Sequence, residues 1–146
     1  MIQKGSPIVF GTGQNLRSLS YIDHVVQAIR LALKSPPLRG DTFWIADQHP
    51  YPTIEIYETI AELLGVKKFR PRFIPELCSE VAYSVDAMIQ RCGFYQQEIH
   101  VAGEMNKNIA CSVAKAEREL GFVPKVSLRE GMKRSIEWCR KNGIDL

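Results

Sequence analysis

Gly11-Thr-Gly-Gln-Asn-Leu-Arg-Ser-Leu-Ser-Tyr-Ile-Asp-His-Val-Val-Gln-Ala-Ile-Arg-Leu-Ala-Leu-Lys34 is the stretch from which the fold is read. Gly11 and Gly13 mark a tight turn, since glycine alone takes left-handed backbone without steric cost. Ser18–Ile22 alternates as a strand does. Asp23 is placed to cap a helix running to about Lys34, where a carboxylate meets orphan amides and the positive end of the macrodipole. Val25, Val26, Ile29, Leu31, Ala32 and Leu33 give that helix a broad apolar face. Arg17 stands at the mouth of the turn, where its planar fork suits an anionic ligand. The stretch reads as a binding loop joined to a core helix.

Before it, Ile8-Val9-Phe10 reads as a short strand. Gly-Thr-Gly is not a dinucleotide fingerprint, which needs a third glycine and a helix directly after the turn. Position 16 is Leu, and the next element is expected to be extended. After the helix, Pro36-Pro37 acts as a stop and Gly40-Asp41 turns the chain into a strand at Thr42–Ala46. Phe43, Trp44 and Ile45 run without a break, which predicts a strand covered on both faces. Thr53 is expected to cap a helix to about Leu64, closed by Gly65.

Lys67–Ile74 is basic, Lys-Lys-Phe-Arg-Pro-Arg-Phe-Ile, and reads as a solvated edge strand with two buried aromatics rather than an anion-binding rim. Pro75 opens a helix to about Arg91. Its stripe of Leu77, Val81, Ala82, Val85, Met88 and Ile89 suits a core face or a wall over a substrate. Residues 94–111 carry no clear pattern. Two helices close the chain, Ser112–Leu120 ended by Gly121 and Leu128–Lys141 opened by a Ser127/Glu130 capping box. Met132, Ile136, Trp138 and Cys139 form the expected buried side of the last.

At 146 residues the chain has the length of one domain with a real core, and 1–146 is read as a single unit. A formal charge of +3 with scattered basic residues argues against nucleic acid. No apolar run approaches the ~18 residues of a membrane span. Met1-Ile-Gln-Lys leads into a Gly-Ser-Pro turn without the apolar core of a signal peptide. Cys78, Cys92, Cys111 and Cys139 form no Cys-x-x-Cys pair, and His24, His49 and His100 are isolated, so no metal site is expected. Four reduced thiols in or near a core suit the cytoplasm.

The residues Gly11, Gly13, Arg17, Tyr21, Ile22, Asp23, Val25 and Ala28 resemble a segment of the extended short-chain dehydrogenases/reductases, the NAD-dependent epimerase/dehydratase group. Gly40–Asp47 and Thr53–Ile56 are similar to the strand and helix that follow it there. Ala114–Pro124, Val126–Gly131 and Glu137-Trp138 are similar to that family's closing helices. The resemblance covers nearly the whole chain but only the C-terminal part of the family. It implies a mixed, helix-rich α/β substrate-binding portion lacking the N-terminal Rossmann nucleotide-binding part.

The resemblance also implies a site. Arg17, as the counterpart of a diphosphate-contacting arginine, and with it Asn15 and Tyr21, would bind substrate. Family members use NAD(P) and a Tyr-x-x-x-Lys pair, in which the lysine helps the phenol exchange a proton. No tyrosine here has that partner: Val25, Glu55, Ala61, Ala87 and Ile99 stand four residues after Tyr21, Tyr51, Tyr57, Tyr83 and Tyr95. No catalytic residue, cofactor or metal is therefore assigned to this chain, and NAD(P) is implied only for the parent enzyme. The expected substrate is a nucleotide sugar. The alternatives are an apolar alcohol, as in the 3β-hydroxysteroid dehydrogenase and dihydroflavonol reductase branch, and a non-catalytic pairing module. Two departures stand out: His24 replaces the second Asp of the family's Asp-Asp, and no second phosphate-binding Arg precedes the Lys115-Ala116 block. A chain without its nucleotide-binding partner is expected to self-associate through the uncovered surface.

Overall fold

The computed structural model describes residues 6–36 and 40–144, so the readings at Met1–Gly5 and Pro37 lie outside it. The element order is β1 (Ile8–Phe10), β2 (Leu16–Arg17), α1 (Ile22–Lys34), β3 (Tyr51–Pro52), α2 (Thr53–Leu64), β4 (Arg72–Ile74), α3 (Glu76–Arg91), α4 (Gln97–Glu104), α5 (Ala114–Leu120) and α6 (Leu128–Lys141). The helix-rich α/β class expected from the sequence is the one observed. The chain forms two compact units, one from Met1–Leu16 with Pro52–Asn108 and one from Arg17–Tyr51 with Ile109–Leu146.

The first unit is built on a two-stranded parallel sheet, β1 beside β4, with Ile8 opposite Arg72, Val9 opposite Phe73 and Phe10 opposite Ile74. Val9 is its buried centre, with Ile56 and Ala61 of α2. Gly65 ends α2 in the left-handed conformation, its φ of 74° accepted by glycine alone without strain. Thr53 is the first residue of α2 rather than its cap, which is Pro52. Its hydroxyl donates instead to the Asn15 carbonyl at 3.1 Å. The basic segment yields a strand only at Arg72–Ile74, and Phe73 is 56 % exposed rather than buried. Pro75 does precede α3. Yet Leu77, Val81, Val85 and Met88 face outward, and the buried residues of α3 are Ser79 and Asp86. Helix α4 occupies part of the stretch that carried no sequence pattern.

The second unit holds the larger apolar core. Ala28, Ala46, Val113, Ala116, Leu120 and Phe122 cluster, with Leu31, Phe43, Ile45 and Cys111 against them. Here α1 begins at Ile22, so the expected strand at Ser18–Ile22 is absent and only Leu16–Arg17 pairs as β2. Tyr21 is the N-cap, and Asp23 sits in the first turn without a side-chain cap bond. A helix end can be satisfied by its own carbonyl, and the Tyr21 carbonyl accepts from the amides of His24 (2.9 Å) and Val25 (3.4 Å). The expected strand Thr42–Ala46 runs without ladder bonding. Phe43 and Ile45 turn inward, while Trp44 on the opposite side is 66 % exposed. Helix α6 opens as expected, with the Ser127 hydroxyl accepting from the Glu130 amide. The Glu130 carboxylate goes to Arg134 at 2.7 Å, so only half of the box forms as such. Trp138 of α6 is exposed, contrary to expectation; Ile136 and Leu128 carry its burial. The four cysteines are free, with Cys78 and Cys92 exposed rather than near a core.

Candidate functional site

In the first unit the Gly11–Asn15 turn is wedged into place. Gly11 and Gly13 have φ of 64° and 73°. A Cβ at Gly11 would stand 2.6 Å from Asn106 Oδ1 and 2.7 Å from Glu76 Oε1. One at Gly13 would stand 2.9 Å from Val9 Cγ1. The chain continues from these glycines into β2 rather than into a helix, so the turn lacks the helix N-terminus of the dinucleotide fingerprint.

Its carbonyls instead satisfy the first amides of α2. Ile54 N donates to the Gly13 carbonyl and Thr53 N to the Asn15 carbonyl, both at 3.0 Å. The Asn15 side chain, buried, donates through Nδ2 to the Met105 carbonyl at 2.9 Å and the Lys107 carbonyl at 3.4 Å, tying down the end of α4. Asn108 Oδ1 accepts from Leu16 N at 2.7 Å. Asn15 Oδ1 is buried and has no hydrogen-bond partner among the described residues.

Arg17 and Tyr21 belong to the second unit. Arg17 is partly buried and forms a parallel bridge with Ile109. Ser18 continues that pairing, its amide donating to the Ile109 carbonyl at 3.0 Å while its hydroxyl accepts from Cys111 N at 3.0 Å. The segment from Ser18 to Tyr21 borders two cavities. One, of about 410 Å³, is lined by Ser18, Leu19, Ser20, Trp44, Ile45, Ala46, Ile109, Ala110 and Cys111. That volume lies in the range of small-molecule sites, and its walls are mostly apolar. The other, of about 140 Å³, lies among Tyr21, Asp47 and the first turns of α6. Gly131 lets the Tyr21 ring close on α6: a Cβ there would sit 3.2 Å from Tyr21 Cδ2.

His24 proves to be an internal strut. It is 2 % exposed, and its Nε2 faces the amides of Lys125 (3.1 Å) and Val126 (3.0 Å). Two donors pointing at one nitrogen require that nitrogen to carry the lone pair, so the proton resides on Nδ1 and donates to Asp47 Oδ1 at 3.0 Å. An acceptor is what the position needs, and the imidazole supplies it. The His24–Asp47 partnership was invisible in sequence, because 23 residues separate its members. So was Asp86, whose Oδ2 accepts from His100 Nδ1 at 2.8 Å and Gln90 Nε2 at 2.7 Å in the first unit. Among the described residues no cluster of three His, Cys, Asp or Glu could hold a metal ion.

No family model matches the chain. The protein y4nL of Sinorhizobium fredii, itself uncharacterized, is 43 % identical over 148 residues, covering 98 % of this chain and 42 % of its own length. A 3beta-hydroxysteroid-dehydrogenase/decarboxylase of Arabidopsis thaliana is 26 % identical over 145 residues, or 33 % of its length. Among solved structures, UDP-glucose 4-epimerase from Thermotoga maritima superposes with a TM-score of 0.64 at 26 % identity, over 97 % of this chain and 37 % of the epimerase. The chain thus spans well under half the length of the relatives it matches.

Proposed function

This chain belongs to the NAD-dependent epimerase/dehydratase group of extended short-chain dehydrogenases/reductases as a C-terminal portion, and from that premise we propose that it is the substrate-binding part of a nucleotide-sugar enzyme, inactive by itself. The observation that carries the reading is the match of nearly the whole chain to little more than a third of a UDP-glucose 4-epimerase. The missing Tyr-x-x-x-Lys pair and a Gly11–Gly13 turn that leads into β2 rather than a helix support inactivity of the isolated chain. In this reading Arg17 meets a substrate phosphate, Tyr21 and Ser18–Ser20 shape the cleft, and Asn15 positions the turn that precedes them. The nicotinamide cofactor and the catalytic pair belong to a nucleotide-binding portion outside this chain.

Isothermal titration of the 146-residue chain with NADH and NADPH is expected to show no micromolar binding; such binding would overturn the assignment. In the full-length enzyme, Arg17→Ala is expected to raise KM for the nucleotide sugar about tenfold to a hundredfold. That is the worth of a charged phosphate hydrogen bond, roughly 1.5–3 kcal/mol. An unchanged KM in a normally folded variant removes Arg17 from the site.

A second reading, an apolar alcohol as substrate, is favoured by one observation: Leu19, Trp44, Ile45, Ala46 and Ile109 make the 410 Å³ cavity largely apolar. A steroid alcohol that protects the second unit from thermal unfolding, where UDP-glucose does not, would select it.

A further inference from the structure

Ser18 is the residue at which the chain changes partners. Up to it, the segment runs beside residues 109–111. Arg17 forms a parallel bridge with Ile109, and the Ser18 amide donates to the Ile109 carbonyl at 3.0 Å. Past it, the Leu19 carbonyl accepts from the Asp47 amide at 2.7 Å. All of these residues belong to the second unit.

The change is made at Cys111. Bonds in a regular parallel ladder are evenly spaced, so the amide two residues beyond Ile109 would meet the Ser18 carbonyl. It meets the Ser18 hydroxyl instead, with Cys111 N donating to Oγ at 3.0 Å. The side chain stands in for the backbone and closes the ladder, while the main chain turns toward Asp47. Cys111 is partly buried against the apolar cluster of Ala28, Ala46 and Phe122, where an unpaired amide is costly. Serine and threonine carry an acceptor directly on Cβ and can make this bond; alanine cannot.

Arg17 stands immediately before this clamp and is itself partly buried. A planar guanidinium meets phosphate oxygens through a fixed fork, so the backbone that carries it must be held to within about 0.5 Å. A backbone released at Cys111 is tied to residues 109–111 by one bond fewer, directly beside the arginine.

We propose that Ser18 is a positioning residue for Arg17. Its Oγ–Cys111 bond keeps the Arg17 backbone in register with Ile109, so that the guanidinium is presented to a substrate phosphate. The proposal rests on the nucleotide-sugar reading above and adds to it the means by which the arginine is held.

Isothermal titration of the full-length enzyme with UDP-glucose tests it. Ser18→Ala is expected to weaken binding about threefold to tenfold, the worth of one net hydrogen bond. Ser18→Cys, close in shape but a weak acceptor, should do the same. Ser18→Thr keeps Oγ and should bind within about twofold of wild type. In an Arg17→Ala background, where the fork is already gone, Ser18→Ala should weaken binding no further. In the 146-residue chain, hydrogen exchange at the Cys111 amide should quicken in Ser18→Ala and not in Ser18→Thr. If Arg17→Ala weakens binding and Ser18→Ala and Ser18→Cys do not, the proposal is overturned and the nucleotide-sugar reading stands. If Arg17→Ala has no effect, or wild type does not bind UDP-glucose, that reading fails and the proposal with it. Equal weakening by Ser18→Ala with and without Arg17 would show that the hydroxyl acts by another route, and overturns the proposal too.

Discussion

The two units bury apolar and polar residues in different proportions. The second buries Phe122, Leu120, Ala116, Val113, Ile136 and Leu128, and with them His24, whose two ring nitrogens bond to Asp47 and to the Lys125 and Val126 amides. The first buries Val9, Ile56 and Ala61 but also Asn15, Thr53, Ser79 and Asp86, and an acceptor of both Asn15 and Asp86 has no partner among the described residues. One is held by area removed from water, the other by directed hydrogen bonds beside an apolar stripe left outside. A hydrophobic pattern in sequence says which residues share a face. It does not say which way that face points. α1 and α3 both leave apolar side chains outside: of the face expected of α1, Val26, Ile29 and Leu33 are exposed, as is Ile22, and the helix reaches its core through Ala28 and Leu31.

Core truncation should separate the units most sharply. Phe122, 0 % exposed, lies in the central cluster of the second unit, so Phe122→Ala is expected to cost about 3–5 kcal/mol of stability. Leu77→Ala in α3, at 66 % exposed, should fall within about 0.5 kcal/mol of wild type. Guanidinium unfolding followed by circular dichroism measures both. Equal losses would mean that the α3 stripe is covered in solution and that the contrast between the units is false.

The buried polar groups sharpen the comparison next. His24→Ala leaves the Lys125 and Val126 amides and the Asp47 carboxylate without their partner at once, and a loss on the order of 3 kcal/mol is expected. His24→Asn keeps a side chain able to accept, and should recover part of that. If His24→Asn is as damaging as His24→Ala, the imidazole acts by filling space rather than by bonding.

Much of this was legible in the chain. The ends of α2, α3 and α6 follow from Gly65, Pro75 and the Ser127 cap, because turn and cap chemistry is local. The family segment from Gly11 to Ala28 was equally open, though alternation at Ser18–Ile22 proved a false sign of a strand. Those residues make only scattered backbone bonds, Ser18 N to the Ile109 carbonyl and Asp47 N to the Leu19 carbonyl, and Tyr21 already caps α1. What stayed hidden was long-range. Nothing near Asp47 announces His24, and nothing near Asp86 announces His100 fourteen residues on. The direction of the α3 stripe depended on α4, which had no pattern of its own. Of the three site residues, Asn15 was singled out for its segment. Its observed bonds to Met105 and Lys107 lie 90 and 92 residues away and could not have been foreseen.

The smallest expected effect concerns pH and touches the first unit alone. The hydrogen bond to Asp86 raises the His100 imidazole above its ordinary value near 6.5, with Glu104, 3.7 Å from Nε2, adding to it; partial burial and Lys107 oppose. A group whose proton is held more tightly when folded adds stability that is complete below its unfolded pKa and fades as pH climbs through the folded one. The α3–α4 hairpin should therefore be steadier at pH 6 than at pH 8, and the second unit should show no such change from His100. Hydrogen exchange at the Ala102 and Gly103 amides, compared between wild type and His100→Gln at the two pH values after correction for intrinsic rates, reads the difference. Wild type should lose protection relative to the variant as pH rises. The same change in both proteins would place the titrating group elsewhere, and the Asp86–His100 bond would then be a hydrogen bond without consequence for the charge state of the hairpin.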